Sequence, residues 1–198
     1  MSKDNLLIEY NNLRTEINQK IELHNTLLTF TITTVVAILT FAFVQEEINS
    51  YLFLLPFCII IPISMRIAYY RTTMVKISAY MIVFLEKELQ DINWETRNAE
   101  FVKLGNSNVR KSYRKSYIFT KLTVLRYFEC LLLSIVCYVI YLCTYLPNQS
   151  CSFELICHVI FPLFLVIFEA LVTKRMNSTN QDRVKYCQYW EKIKENEN

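Results

Sequence analysis

Four apolar stretches of membrane-spanning length dominate this chain and leave few folds open to it. The first, Asn25–Val44, reads NTLLTFTITTVVAILTFAFV and carries no charge. The second, Tyr51–Met65, reads YLFLLPFCIIIPISM and reaches Tyr70 if Arg66 is tolerated. The third, Tyr127–Leu146, has Glu129 as its only charge, and the fourth, Phe153–Val172, has Glu154 and Glu169 near its two ends. About twenty residues rising 1.5 Å each cross a hydrocarbon core of roughly 30 Å. A soluble bundle would have to wrap these stretches in a polar shell. With 53% apolar and 20% charged residues, the chain lacks one. A single glycine also excludes a glycine-rich phosphate loop or a dinucleotide fingerprint, which need several left-handed or close-approach positions.

The basic residues give an independent reading. All 21 Lys and Arg fall in Met1–His24, Arg66–Arg126 or Lys174–Asn198. The connector Gln45–Ser50 holds Glu46 and Glu47 but no base, and Pro147–Ser152 carries no charge. Lys and Arg mark the cytoplasmic side, so both termini and the long central segment belong there. The expected fold is all-α: an integral membrane protein with four transmembrane helices and a cytoplasmic helical cluster, both termini cytoplasmic. Its parts are an amphipathic helix at 1–24, a transmembrane hairpin at 25–68, a cytoplasmic helical loop at 69–124, a second hairpin at 125–173 and a C-terminal helix at 174–198. The first span follows a polar segment and precedes acidic residues rather than a small-residue cleavage site, so it is expected to be retained.

The cytoplasmic parts carry helical periodicity. Leu6, Tyr10, Leu13, Ile17, Ile21 and His24 recur at spacings of three and four, with polar residues between them. No glycine or proline separates them from the first span, so one helix of about 40 residues is expected. Its stripe has three open uses: a second subunit, the central loop, or the membrane surface. The pattern leaving the second span continues through Tyr70, Met74, Ile77, Met81, Phe84, Leu85 and Leu89, and ISAYMIVFL within it must be buried or lie at an interface. A break is expected at Gln90–Asn93, a short helix over Trp94–Leu104 ending at Gly105, and a basic helix after Ser107 or Asn108. Arg110, Lys111, Arg114, Lys115 and Lys121 on that helix form a patch for anionic lipid, or for a partner protein or anionic ligand. A separate helix is expected over Thr179–Glu195.

Polar residues inside the spans are the candidate functional groups. Thr26, Thr29, Thr33 and Thr40, with Ala37, share one face of the first span. Two readings are open: a small-residue packing face, or a wall of a water-filled path between assembled subunits. Arg66, Arg126, Glu129 and Glu169 all fall near the inner ends of their spans. A carboxylate in hydrocarbon is costly unless paired or wetted, so a polar layer is expected in which Glu129 or Glu169 meets Arg66 or Arg126. Its role is open between structural pairing, a gate and snorkelling to headgroups. Pro56 and Pro62 in the second span and Pro162 in the fourth are expected to kink their helices.

Catalytic chemistry is not visible. The seven cysteines, Cys58, Cys130, Cys137, Cys143, Cys151, Cys157 and Cys187, form no CxxC pair, and those in spans read as small apolar residues. A disulfide from Cys151 to Cys157 or to Cys143 stays open if the outer side is oxidising. His24 and His158 are expected on opposite sides and cannot share a metal. No HExxH, paired-carboxylate or nucleophile–base pattern occurs, so no enzyme and no cofactor are expected.

At Tyr69–Asn98, YYRTTMVKISAYMIVFLEKELQDINWETRN, the chain resembles small bacterial multi-span inner-membrane proteins. In these a span is followed by an ISAY-like helix, an acidic residue and a WE-type turn. Some of them are anti-phage defence effectors that permeabilise or perturb the inner membrane when a cytoplasmic sensor signals infection, and the resemblance implies such a role. Three function classes follow: an oligomeric membrane effector or channel, a non-conducting anchor or sensor that recruits a cytoplasmic partner, and a small transporter or membrane enzyme. The expected partners are membrane lipids, further copies of the chain and a cytoplasmic protein. Nucleic acid is not expected.

Overall fold

Every regular element described in the chain is helical. The computed structural model describes residues 2–45, 49–89, 92–100, 128–146 and 153–197, with side chains at all of these except 153–157, 179–181 and 197. Helix α1 covers Lys3–Val44, 42 residues without interruption. The polar N-terminal segment and the first apolar stretch thus form one rod of about 63 Å, because neither glycine nor proline intervenes. A 3-10 turn at Ser50–Leu54 is opened by Asn49, whose side chain accepts a hydrogen bond from the Tyr51 backbone N–H. Pro56 follows that turn and α2 begins at Phe57, so Pro56 sits at a junction and not inside a span. This corrects the expected kink: at a helix start the missing N–H of proline costs nothing. Pro62 lies inside α2 (Phe57–Tyr80).

Helix α2 continues through a π-helical segment, Met81–Glu86, into a last α turn, Lys87–Leu89. Residues 94–100 are helical, and α3 spans Glu129–Tyr145. Helix α4 runs from Phe153 to Glu197, 45 residues, with Pro162 inside it. The separate C-terminal helix expected at Thr179–Glu195 is therefore the continuation of the fourth apolar stretch. The chain there offers neither glycine nor proline to stop it. The basic helix at 107–121 and the connectors bearing Glu46, Glu47 and Cys151 lie outside the described residues.

Two helical runs among the described residues are long and apolar enough to cross a membrane: Lys3–Val44 and Ser50–Leu89. The expectation of four such helices is met for two. Helix α3, at 17 residues, spans about 26 Å, short of the roughly 30 Å core. In α4 the apolar stretch Phe153–Val172 lies within the 45-residue helix.

The chain divides into two compact units. One comprises Met1–Glu22, Tyr70–Arg126 and Asn177–Asn198, and the other Leu23–Tyr69 and Tyr127–Met176. In the first, Tyr10 and Ile17 of α1 bury against Met81, Leu85 and Leu89, with Leu6, Leu13, Met74, Ile77, Phe84 and Ile92 packed around them. Each full apolar burial contributes about 1.5–3 kcal/mol. The N-terminal stripe and the apolar ISAYMIVFL segment therefore find each other within the chain. In the second, all four helices meet in one core of Val35, Phe57, Ile60, Ile67, Cys130, Cys137 and Met176. A smaller cluster of Ala42, Phe53, Tyr141 and Tyr145 closes the end formed by the C-terminus of α1, the 3-10 turn and the C-terminus of α3.

Candidate functional site

The second unit buries several polar groups within its apolar core and leaves many large apolar side chains exposed on its surface. Phe30, Val36, Phe41 and Phe43 of α1, Met65 of α2, Val139 of α3 and Phe161, Phe164 and Leu171 of α4 are all exposed, Phe164 at 68%. Thr31, Ser64, Ser134 and Glu169 are buried at 0% and Thr173 at 5%. Only 17% of the most apolar window of α1 and 33% of that in Ser50–Leu89 is buried. A core helix of a soluble protein hides its apolar residues. Here they face outward, which in water would leave an apolar patch far beyond the few hundred Å² that soluble monomers tolerate.

Glu169 is the centre of the buried polar set. Ser64 Oγ of α2 donates to its Oε2 at 2.8 Å. Its Oε1 is buried without a hydrogen-bond partner. Thr173, one turn further along α4, and Ser134 on α3 have buried hydroxyls in the same condition. Cys130, one turn before Ser134, is buried in the core that α4 packs against. Among the described residues, the hydrogen-bond partner of Glu169 is thus Ser64. Arg66 is exposed, with its guanidinium 5.6 Å from the ring centroid of Tyr69. Glu129 is exposed at the first turn of α3, and Arg126 lies outside the described residues. The physical reason is register: on α2 Ser64 faces the core while Arg66, two residues on, is turned about 200° away.

Helix α3 carries an inward stripe that a count of cysteines alone obscures. Its buried residues are Cys130, Ser134, Cys137, Tyr141 and Tyr145, at spacings of four, three, four and four. Tyr141 is fully buried and its hydroxyl has no hydrogen-bond partner. Beyond it, Tyr145 stacks on Tyr141 at 5.4 Å and approaches the His158 ring at 5.2 Å. Tyr51 completes the group, 5.5 Å from His158. Cys143 is a free thiol, as are Cys58, Cys130, Cys137 and Cys187. Ser64, Thr31, Ser134 and Tyr141 were not singled out from sequence. The signal for the α3 residues was present in their three-and-four spacing.

The threonines on the first apolar stretch face the other way. Thr26, Thr29, Thr33 and Thr40 are exposed. Thr33 Oγ1 donates to the Thr29 carbonyl at 2.9 Å and Thr40 Oγ1 to Val36 at 2.8 Å. The buried threonine is Thr31, which donates to the Leu27 carbonyl at 2.7 Å.

The first unit is organised around two buried carboxylates. Glu86, in the π segment, accepts from the Glu95 N–H at 2.7 Å, the Thr96 N–H at 2.9 Å and the Thr96 hydroxyl at 2.7 Å. It thus supplies an anion to the orphan N–H groups that open the 94–100 helix. Neighbours Leu85 and Glu86 of the π segment are both buried, the first in the apolar cluster and the second on that helix. Glu95 in turn pairs with Arg14 at 2.6 Å and accepts from Ser78 at 2.7 Å. Burial raises the Tyr10 phenol above its ordinary value, and the Glu86 carboxylate raises it further. A cavity of about 280 Å³ opens beside this network, lined by Glu9, Leu13, Lys76, Ile77, Tyr80 and Trp190 among others. Tyr80 donates to Glu9 at 2.6 Å, and Trp190 Nε1 to the Lys76 carbonyl at 3.2 Å. The basic patch of Arg110, Lys111, Arg114, Lys115 and Lys121 lies outside the described residues. Among the described residues no three His, Cys, Asp or Glu side chains gather as metal ligands would.

No protein-family model, curated protein or solved structure matches this chain.

Proposed function

We propose that this chain is a multi-pass inner-membrane protein with four spans and both termini in the cytoplasm, acting as a membrane effector. Its cytoplasmic helices receive a signal and its spans change the permeability of the bilayer. The observation that carries the membrane reading is the second unit, with phenylalanines outside and Glu169, Ser64 and Ser134 within. Lipid stabilises such a surface, whereas water would drive it to aggregate. A purely structural anchor has no need of a lone buried carboxyl group, which costs free energy wherever it is not paired. The resemblance at Tyr69–Asn98 supports a role in anti-phage defence, with further copies of the chain and anionic lipid as partners.

One observation favours a second reading, a non-conducting anchor or sensor. The exposed threonine face uses its hydroxyls on its own helix carbonyls, which suits helix packing as well as a wet path. The cavity beside Tyr80 and Trp190 would then receive the recruited protein.

The test is induction in bacterial cells loaded with a membrane-potential dye, with and without phage challenge. Depolarisation that follows insertion supports the effector. A polarised membrane in both conditions, with the protein found in the membrane fraction, refutes it and leaves the anchor.

A further inference from the structure

Among the described residues, four side-chain polar atoms buried in the second unit lack a hydrogen-bond partner, on Glu169, Ser134, Tyr141 and Thr173, and two of these residues, Ser134 and Tyr141, lie on one lane, the inward stripe of α3. Glu169 Oε1, Ser134 Oγ and Tyr141 Oη are each in side chains at 0% exposure, without a hydrogen-bond partner among the described residues. Glu169 sits on α4 among Leu165, Val166 and Val172, which pack against the core that holds Cys130 and Cys137 of the α3 stripe. Along that stripe the steps from Cys130 to Ser134, Cys137, Tyr141 and Tyr145 rise about 4.5–6 Å each. The lane then ends on His158, held between Tyr145 and Tyr51. From Cys130 to Tyr145 it covers about 22 Å, most of a bilayer core.

We propose that the second unit conducts protons within a single copy of the chain, along the inward stripe of α3, between Glu169 at one end and His158 at the other. The proposal rests on the effector reading and names its permeant species and its route.

The chemistry favours a proton over a metal cation. A sodium or potassium ion stripped of water needs several oxygens at once, and this lane offers one carboxyl group and single hydroxyls two helical turns apart. A hydrated ion needs open width, yet Tyr141, Phe53 and Phe57 fill the interior at 0–2% exposure. Proton transfer needs only donors that are also acceptors, bridged by waters. A serine or tyrosine hydroxyl accepts one proton and donates its own, and so regains its composition after each passage. Ser134 and Tyr141 lie two turns apart on the stripe, about 10.5 Å of rise, with the Cys137 thiol between them, so the route requires bridging waters at that step. The carboxyl group of Glu169 and the imidazole of His158 load and unload the lane, each returning to its starting state once the proton has moved on.

The ionisable groups on the elements packed about Glu169 are Cys130 and Glu129 on α3, Arg66 on α2, Lys174 and Arg175 on α4, and His24 on α1. Of these Cys130 alone is buried. Around His158 they are Tyr51 and Tyr145. The exposed Thr29 and Thr33 face plays no part in this route.

The experiment uses the full chain in liposomes, with a potassium gradient and valinomycin driving protons inward and a trapped pH dye reading the flux. Wild type acidifies the lumen. E169Q and Y141F each slow this roughly tenfold or more, equivalent to about 1.4 kcal/mol on the barrier. T33A, on the outer face, leaves it unchanged. Y141F removes one oxygen and keeps the packed ring, so it serves as the variant that still folds, checked by monodispersity in detergent. Wild-type proton flux that survives both E169Q and Y141F overturns the route. Sodium flux matching that of protons, or potassium flux matching it in liposomes without valinomycin, overturns the species while leaving the effector reading intact. No flux of any ion from correctly inserted wild-type protein overturns the effector reading itself, and the proposal with it.

Discussion

Replacing Glu86 with alanine isolates how the start of the helix over 94–100 is held in the first unit. That helix begins with N–H groups that have no partner inside it. Its opening N–H groups at Glu95 and Thr96 are satisfied by Glu86 Oε1 and Oε2 at 2.7 and 2.9 Å. Glu95 is buried, so its orphaned N–H meets no water in E86A and costs about 1–3 kcal/mol. Thr96 is half-buried and can recruit water, which leaves a smaller penalty. Loss of a carboxylate from a helix N-terminus adds about 0.3–1 kcal/mol. The sum is roughly 2–4 kcal/mol on local opening, because the Arg14–Glu95 pair still tethers the segment. Amide hydrogen exchange in detergent reads this directly. The Glu95 and Thr96 amides should exchange about 30- to several-hundred-fold faster in E86A, at 1.4 kcal/mol per decade. E86Q, which keeps one carbonyl oxygen, should fall between. Wild-type exchange at both amides in E86A would show that something other than Glu86 caps this helix, and the reasoning would fail.

Other perturbations give distinct readouts. A double-mutant cycle on Arg14→Ala and Glu95→Gln should return a coupling of about 1 kcal/mol by thermal unfolding, since the Arg14 side chain is about a third exposed and solvent screens the pair. Tyr10 releases its proton less readily folded than unfolded, so the first unit should lose stability as pH rises above about 10, the unfolded value. In Y10F the alkaline fall should be shallower, measured by circular dichroism melts between about pH 8 and 11. Trp190→Ala removes edge contacts to Tyr80 at 5.3 Å and Phe84 at 6.1 Å and the bond to the Lys76 carbonyl. It should weaken docking of the C-terminal part of α4 by about 2–3 kcal/mol and speed limited proteolysis within 182–196.

Much of the helical layout was legible in the residues, because helices depend on local composition. Unbroken sequence from Asp4 to Val44 allowed only a continuous rod, and α1 is one. The stripe of Leu6, Tyr10, Leu13 and Ile17 marked a buried face, although three candidate coverings stood open until α2 was seen to supply it. Where the residues left the outcome open, rotation or continuity was at issue. The Thr26–Thr40 stripe is as periodic as a core face, yet it is exposed and Thr31 is the inward threonine. In an apolar span both faces are hydrophobic, so periodicity no longer distinguishes inside from outside. Glu169 was legible as an expensive group, but not its partner: charge attraction suggested Arg66 or Arg126, whereas the register of α2 presents Ser64. The π turn at Met81–Glu86 left no local mark in the residues.

The residues alone thus determined which segments are helical, which are apolar enough for lipid and where the charges gather, since each follows from short-range propensity and transfer free energy. Tertiary structure alone decided which face of each helix turns inward and which oxygen meets which hydrogen. Those outcomes depend on angles of about 100° per residue accumulated along helices and on distances of 2.6–2.9 Å between groups more than 70 positions apart, as in Tyr80 with Glu9 and Ser64 with Glu169.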